Sequence, residues 1–505
     1  MTDYQGRVTR LATEELKPAA SADNIAAIAG RGTIYITAAK LWFMVTGYGI
    51  HFILPRLITA EQFGMYQVVV SVVSIINAVI ITGTYQTVSK HISEDERGAG
   101  SVKAKALKLQ VLIGGSASLG FFLLAPVVSR YLNDDRLVGY LRLASLITLS
   151  YSFYAVFTGY LNGRRRFLAQ ASLDVAYSTL KMAFVVLFAW LGFGVAGGIG
   201  GFALAAATVL ALSAIVAGRS ERLKEVRAQD LLRFQSYLLL FTLAINLLQK
   251  TDLILVKALS SPDARLASEN AGYYSAAINV ANITYQVIIS ATFVIFPLIS
   301  QATFTQDRPR TRDYISNTLR YTLMVMALVA TLFSANARGV LSLVYPQDYQ
   351  AGSAALGVVA YGMLLFGLLY VVTTIISAGG RPAVSLLVGL LTLAASAVLN
   401  GLLIPAHGLV GAAIGTTIAM LAGVVMSCAY LKVRFGALMS PLSVIRITVC
   451  AGLIYAAASF LPASSRLGVV IKLVALSLAY VAVLLVSGEI GREDFRLITR
   501  VFRPS

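Results

Sequence analysis

Charge is scarce in this sequence. Of its 505 residues, 13% are Asp, Glu, Lys or Arg, about half the share of a soluble domain. That shortage excludes a disordered chain, which needs high charge and low hydrophobicity. Cysteine is nearly missing too: Cys428 and Cys450 are the only two, so a disulfide scaffold is excluded. With three histidines as well, a dedicated transition-metal site is not expected. No GxxxxGK[ST] phosphate loop, HExxH or GxSxG occurs. Gly197-Gly-Ile-Gly-Gly201 lies inside an apolar run, where glycines serve helix packing. Acids are the minority sign, 23 against 41 Lys+Arg, and those of the short loops expected outside the membrane (Asp134, Asp135, Asp263, Glu269, Asp348) are scattered. A membrane glycosyltransferase or polymerase would want paired carboxylates or a large external domain, so an enzyme is the lesser reading. No cofactor is expected.

What is present is hydrophobicity, at 57% of residues. A membrane-crossing helix needs about 20 apolar residues. Fourteen stretches qualify: 32–55, 64–87, 107–128, 138–161, 169–192, 195–217, 234–258, 272–299, 318–337, 352–377, 383–404, 408–431, 443–461 and 467–487. The fold expected is therefore an all-α polytopic membrane protein of about 14 spans. Residues 1–31 are polar and show no cleavable signal pattern.

Fourteen spans put both termini on one side. With that side cytoplasmic, 29 Lys+Arg fall inside, eight outside, and four (Lys40, Lys181, Lys250, Lys472) within spans. Cytoplasmic loops collect Lys and Arg. The bias accounts for the net charge of +18 without a nucleic-acid partner.

The chain also repeats. Thr59-Ala-Glu-Gln-Phe-Gly-Met-Tyr66 is echoed by Ala267-Ser-Glu-Asn-Ala-Gly-Tyr-Tyr274, Leu161-Asn-Gly-Arg-Arg165 by Ala378-Gly-Gly-Arg-Pro382, and Gly194-Val-Ala-Gly-Gly198 by Gly408-Leu-Val-Gly-Ala412. The paired glycines are 208, 217 and 214 residues apart. A six-span unit has an even count, so the copies share one orientation about an axis along the membrane normal. The expected division is an N-tail (1–31), an N-lobe (32–217) and a basic linker (218–233), read as an interfacial helix or a solvated segment. A C-lobe (234–431), two extra spans (432–487) and a C-tail (488–505) follow.

These residues resemble the polysaccharide transporter family, which includes the Wzx-type flippases, within the multidrug/oligosaccharidyl-lipid/polysaccharide exporter superfamily. The likeness rests on Phe63-Gly-Met-Tyr66, Gly83 with Ser89-Lys90, Gly159-Tyr-Leu-Asn-Gly163, Asp252, Gly272-Tyr-Tyr274, Pro297 and Gly408-Leu-Val-Gly-Ala-Ala413, across most of 30–431. It implies two six-helix lobes about a central cavity and alternating access. It also implies a lipid-linked oligosaccharide as cargo, a bacterial cytoplasmic (inner) membrane setting, and polysaccharide polymerase and chain-length machinery as partners beside membrane lipids. Under it, the function expected is flipping polyprenyl-pyrophosphate-linked repeat units for O-antigen, capsule or exopolysaccharide. A peptidoglycan lipid-precursor flippase and a multidrug or cation antiporter are the alternatives.

An ionisable group at bilayer depth costs about 2.5–3.5 kcal/mol on insertion scales, which makes it a functional candidate. Lys40, Lys181 and Lys250 are the candidate cationic, substrate-binding cavity, able to receive a pyrophosphate. Snorkelling, or pairing of Lys181 with Asp174 seven residues away, is the structural alternative. Asp252, with Asp174, is the candidate for ion coupling. Asn77, Asn246, Gln249, Asn279 and Asn282 are candidate cavity polar groups or helix bridges.

Overall fold

The computed structural model describes residues 22–219, 228–304, 308–462, 465–491 and 494, and those residues contain no strand. The helices are α1 (Ala22–Ile53), α2 (Ala60–Glu94), α3 (Ala99–Tyr131), α4 (Leu137–Gly163), α5 (Phe167–Phe188) and α6 (Gly194–Ala217). After a connection that includes 220–227, outside the described residues, come α7 (Ala228–Leu259), α8 (Ala264–Phe304), α9 (Arg308–Ala335) and the short α10 (Ala337–Val344). Then follow α11 (Ser353–Ala378), the 54-residue α12 (Pro382–Phe435), α13 (Pro441–Phe460) and α14 (Arg466–Val486).

Nine helical runs among the described residues are long and apolar enough to cross a membrane. Two of them, Phe167–Ala217 and Pro382–Phe435, break at glycine and hold two spans each. The long helices outside that set are α1, α7 and α8, which also carry most of the polar cavity wall described below. The protein is thus multi-pass: among the described residues, these runs with α1, α7 and α8 account for the about 14 spans expected. Most helices begin before the expected spans, by eight residues or more in α1 (Ala22), α3 (Ala99), α8 (Ala264) and α9 (Arg308). The expected interfacial helix at 219–227 lies almost wholly outside the described residues, as does most of the N-tail.

The repeat is visible in the backbone. Gly194 ends the break between α5 and α6 at φ 53°, ψ −131°; Gly408 breaks α12 at φ 56°, ψ −130°. Both lie where an L side chain is strained. The turns ending α4 and α11 also match. Amides of residues 164, 165 and 166 donate to carbonyls 160, 162 and 161; amides 379, 380 and 381 donate to 375, 377 and 376. The positive-φ residues are Arg165 and Gly380, so these turns superpose at an offset of 215. The glycine-to-glycine pairing of 217 is corrected: an arginine occupies the left-handed position in the first copy.

Packing follows the same plan. α2 rests on α4 as α8 rests on α11, and α1 on α5 as α7 on α12. The lobes meet where α2 packs against both α7 and α8, whereas α1 barely touches α8. α13 and α14 add to the second lobe, α13 against α9 and α14 against α10. Arg320 of α9 ties down the segment beyond α14 through Glu489 (2.8 Å) and Asp494 (3.0 Å).

The capping box explains part of the first repeated motif. The Thr59 hydroxyl accepts from the Gln62 amide while the Gln62 side chain accepts from the Thr59 amide, which fixes the start of α2. The motif's glycine serves the interface. A Cβ on Gly64 would sit 2.7 Å from the Gly272 nitrogen and inside contact distance of the Ser268 carbonyl, and a Cβ on Gly272 would strike the Ala60 carbonyl. The two repeat glycines therefore pack against each other across the lobes. Gly64→Val is expected to prop the lobes apart. With Cys428 and Cys450 replaced, a cysteine introduced at Ser71 should become several-fold more reactive to an impermeant reagent from the α2–α8 contact end. Unchanged labelling of a well-expressed variant would refute this.

Candidate functional site

A cavity of about 990 Å³ lies between the lobes. It runs from Gly32 and Phe167, at the end rich in Lys and Arg, to His51 and Tyr66 beneath the opposite end. Its walls come from α1, α2, α5, α7 and α8. Lys40, Lys181 and Lys250 all line it, together with Gln249, Asn279 and Asn282. No acid lines it among the described residues.

Lys181 is held by an aromatic wall. Its Nζ lies 3.9 Å from the centroid of Phe202, itself edge-on to Tyr151, a geometry that favours a cation. It does not pair with Asp174, whose carboxylate accepts from the Tyr154 hydroxyl at 2.8 Å and lies within electrostatic reach of Lys40. Lys181 is instead within reach of the like charge of Lys250. The structural network expected between Asp174 and Lys181 is therefore replaced by Phe202 on one side and Tyr154 on the other.

The sequence reading passed over His51, Tyr48 and Tyr285, which line the cavity. His51 is hydrogen-bonded to Gln67 at 2.8 Å and sits within reach of Lys181 and Lys250. Gln286 donates to the Tyr48 hydroxyl at 3.0 Å, and Gln249 to the Tyr285 hydroxyl at 3.2 Å. The scarcity of histidine was the available signal for His51: among three in the chain, it alone falls within an expected span. Asn77 and Asn246 are not among the lining residues. Asn77 is buried, and Asn246 donates to the Thr242 carbonyl of its own helix at 2.8 Å.

Asp252 is also off the cavity wall. It is fully buried, accepting from the Tyr274 hydroxyl (3.1 Å) and the Leu253 amide (2.7 Å). In α12, the buried Asn400 donates to both Ser396 and Thr416 at 3.1 Å, and its Oδ1 has no partner. No group of three metal-binding side chains occurs among the described residues.

The end of the cavity beneath His51 is sealed. Phe63 of α2 meets Tyr349 edge-on at 5.8 Å, and Phe52 of α1 meets Tyr345 at 5.7 Å. Above them lies one of the acids that look scattered in the sequence, Asp134. Asp134, between α3 and α4, receives Lys257 of α7 at 3.0 Å, Arg136 at 2.9 Å and the Ser268 hydroxyl at 3.3 Å. The side chains of Asp134 and Lys257 are 1% and 0% exposed. Arg136 also reaches Glu61 at 2.6 Å. Burial alone would raise the Asp134 carboxyl, but Arg136 and Lys257 outweigh it and hold the group below the usual carboxylate range.

The profile of the family described as "Polysaccharide biosynthesis protein" matches residues 29–303. No curated protein matches the sequence. Among solved structures, the fold is similar to a lipid II flippase MurJ in an inward closed conformation, with TM-score 0.71 and 13% identity over 90% of this chain and 99% of that one. It is also similar to a multidrug resistance MATE family transporter of the MOP superfamily. The inward-facing conformation gives TM-score 0.62 at 14% identity, over 78% of this chain and 95% of that one. The outward-facing conformation gives 0.58 at 14% identity, over 80% and 95%.

Proposed function

Since the chain belongs to the polysaccharide biosynthesis protein family, we propose that it is a transporter, not an enzyme, and that it flips polyprenyl-pyrophosphate-linked oligosaccharide repeat units across the cytoplasmic membrane. The observation that carries this reading is the sign of the cavity: three lysines and no described acid line it. A pyrophosphate crossing a low-dielectric core loses its hydration, and fixed ammonium groups on a wet wall replace part of it. The Asn, Gln and Tyr groups supply hydrogen bonds for sugar hydroxyls. The end rich in Lys and Arg, where the cavity begins, faces the cytoplasm under the positive-inside bias. Cargo enters there, and release requires the Phe63–Tyr349 seal to part. The product then passes to surface polysaccharide assembly.

The cavity's charge disfavours an organic cation as cargo. The likeness to the lipid II flippase keeps a peptidoglycan precursor as the second reading, because that cargo would present the same pyrophosphate. Asp252 is assigned to ion coupling. It is secluded from cargo, and the Tyr274 hydroxyl that it holds is the group through which its protonation would reach α8.

The test is export in a strain lacking the gene. Restored surface polysaccharide, with lipid-linked repeat units accumulating on the cytoplasmic face when the gene is absent, is the expected result. Rescue of a strain depleted of its lipid II flippase, without effect on polysaccharide, would select the second reading.

A further inference from the structure

A second, smaller cavity of about 370 Å³ opens at the sealed end of the bundle, away from the central one. It is built from three separate segments: the short helix α10, the turn at Gln347–Gly352, and the start of α14. Arg338 and Arg466 both line it, with Ser342, Gln347, Gln350 and Ser465. No acid lines it among the described residues, and neither arginine makes an ion pair among them. Two guanidinium groups on the wall of one pocket, from positions 128 residues apart, give it a positive charge that attracts an anion. Planar guanidinium forks suit phosphate oxygens, and the hydroxyl and amide side chains add donors.

A separate feature names the source of that phosphate. From the pocket's edge, Leu467, Val470, Ile471 and Val474 are exposed along α14. Their spacing of three and four puts them on one helical face, so an apolar stripe descends from the arginines into the depth of the bilayer. The fixed positive charge sits at head-group level and the stripe at acyl-chain level. We propose that this pocket binds the phosphate of an anionic phospholipid in the leaflet at the sealed end, with its acyl chains along α14. The pocket floor is the buried Tyr345, whose ring meets Phe52 and Phe63 of the seal. The lipid therefore rests directly behind the seal.

The test uses the full chain in nanodiscs of phosphatidylcholine with increasing phosphatidylglycerol. Retained lipid is counted by native mass spectrometry. One phosphatidylglycerol should be retained tightly, and Arg338→Gln/Arg466→Gln should weaken its retention by about tenfold or more. Arg130→Gln, which removes a charge at the same end of the bundle but outside the pocket, should leave retention unchanged. Arg338→Lys/Arg466→Lys, which keeps charge without the fork, should fall between. The two arginines strand no ion-pair partner when removed, and a single elution peak will confirm folding. Equal retention by the double glutamine variant overturns the site. Saturation by millimolar inorganic phosphate in phosphatidylcholine nanodiscs, with the same phosphate displacing phosphatidylglycerol from the mixed nanodiscs, overturns the lipid as its source.

Discussion

Replacing Lys181 by alanine is expected to cut export about ten- to hundredfold while leaving the amount of protein in the membrane unchanged. The magnitude is that of one charge-assisted hydrogen bond, about 1.5–3 kcal/mol. Lys181 lies fourteen residues into α5, about 20 Å from its basic end at 1.5 Å per residue, so it cannot snorkel out that way. Its Nζ rests on Phe202 and shares the wall with Lys250. Truncation therefore strands no buried anion and relieves a like-charge repulsion, which separates loss of transport from loss of folding. Lys181→Arg should keep part of the activity, because charge survives while geometry changes. Since Asp174 is engaged by Tyr154, adding Asp174→Asn to the alanine variant should not rescue export. A rescue would remove Lys181 from the transport site and return it to a structural pair.

The second large effect is expected at the seal. Asp134→Ala leaves the Lys257 ammonium fully buried, with the Ala264 carbonyl at 3.0 Å as its remaining hydrogen-bond partner among the described residues. Removing one partner of a buried ion pair costs about 3–5 kcal/mol. If the sealed form alone buries the pair, that cost falls on the sealed form and moves the equilibrium toward the opened one by two orders of magnitude or more, at about 1.4 kcal/mol per tenfold. A cysteine at Ser71 should then be labelled readily from the sealed face. Asp134→Leu/Lys257→Met, which replaces the pair with apolar groups of similar size, should close the seal again. Equal labelling of wild type and Asp134→Ala would refute the latch. The pH dependence has a definite sign. A depressed carboxyl stabilises the sealed form above its ordinary range, and that stability is lost as pH falls through the depressed value. The seal of the wild type should therefore begin to weaken as pH falls into the ordinary carboxylate range and lose this support only below it.

The sequence made the lobes legible because glycine was needed where the backbone does something unusual. Gly194 and Gly408 announce the same break, and Gly64 and Gly272 the same close approach. The lysines were legible because a charge in an apolar helix has few places to go. What stayed hidden depends on which neighbour a helix face meets. Asn77, Asn246 and Gln249 look alike in the sequence, yet only Gln249 reaches the wall; in spans apolar nearly all round, no amphipathic stripe marks the wet side. The Asp134–Lys257 pair joins residues 123 apart, and Lys257 reads as an ordinary charge at a span end. The turn at Arg165 hid its equivalence to Gly380 because the left-handed residue is not glycine in both copies.

The meeting of Gly64 and Gly272 has a consequence for the cost of motion. At Gly64 and Gly272 the lobes meet main chain against main chain, with no side chain on either of those residues. Fixing a long side chain costs up to about 2 kcal/mol in lost rotamer freedom; a glycine contact costs none. An opening that parted and rejoined this junction would therefore freeze and free almost no side-chain entropy there. The helices can separate and return along a smooth track, and the free energy of the closed state is left to the ionic and aromatic groups around it.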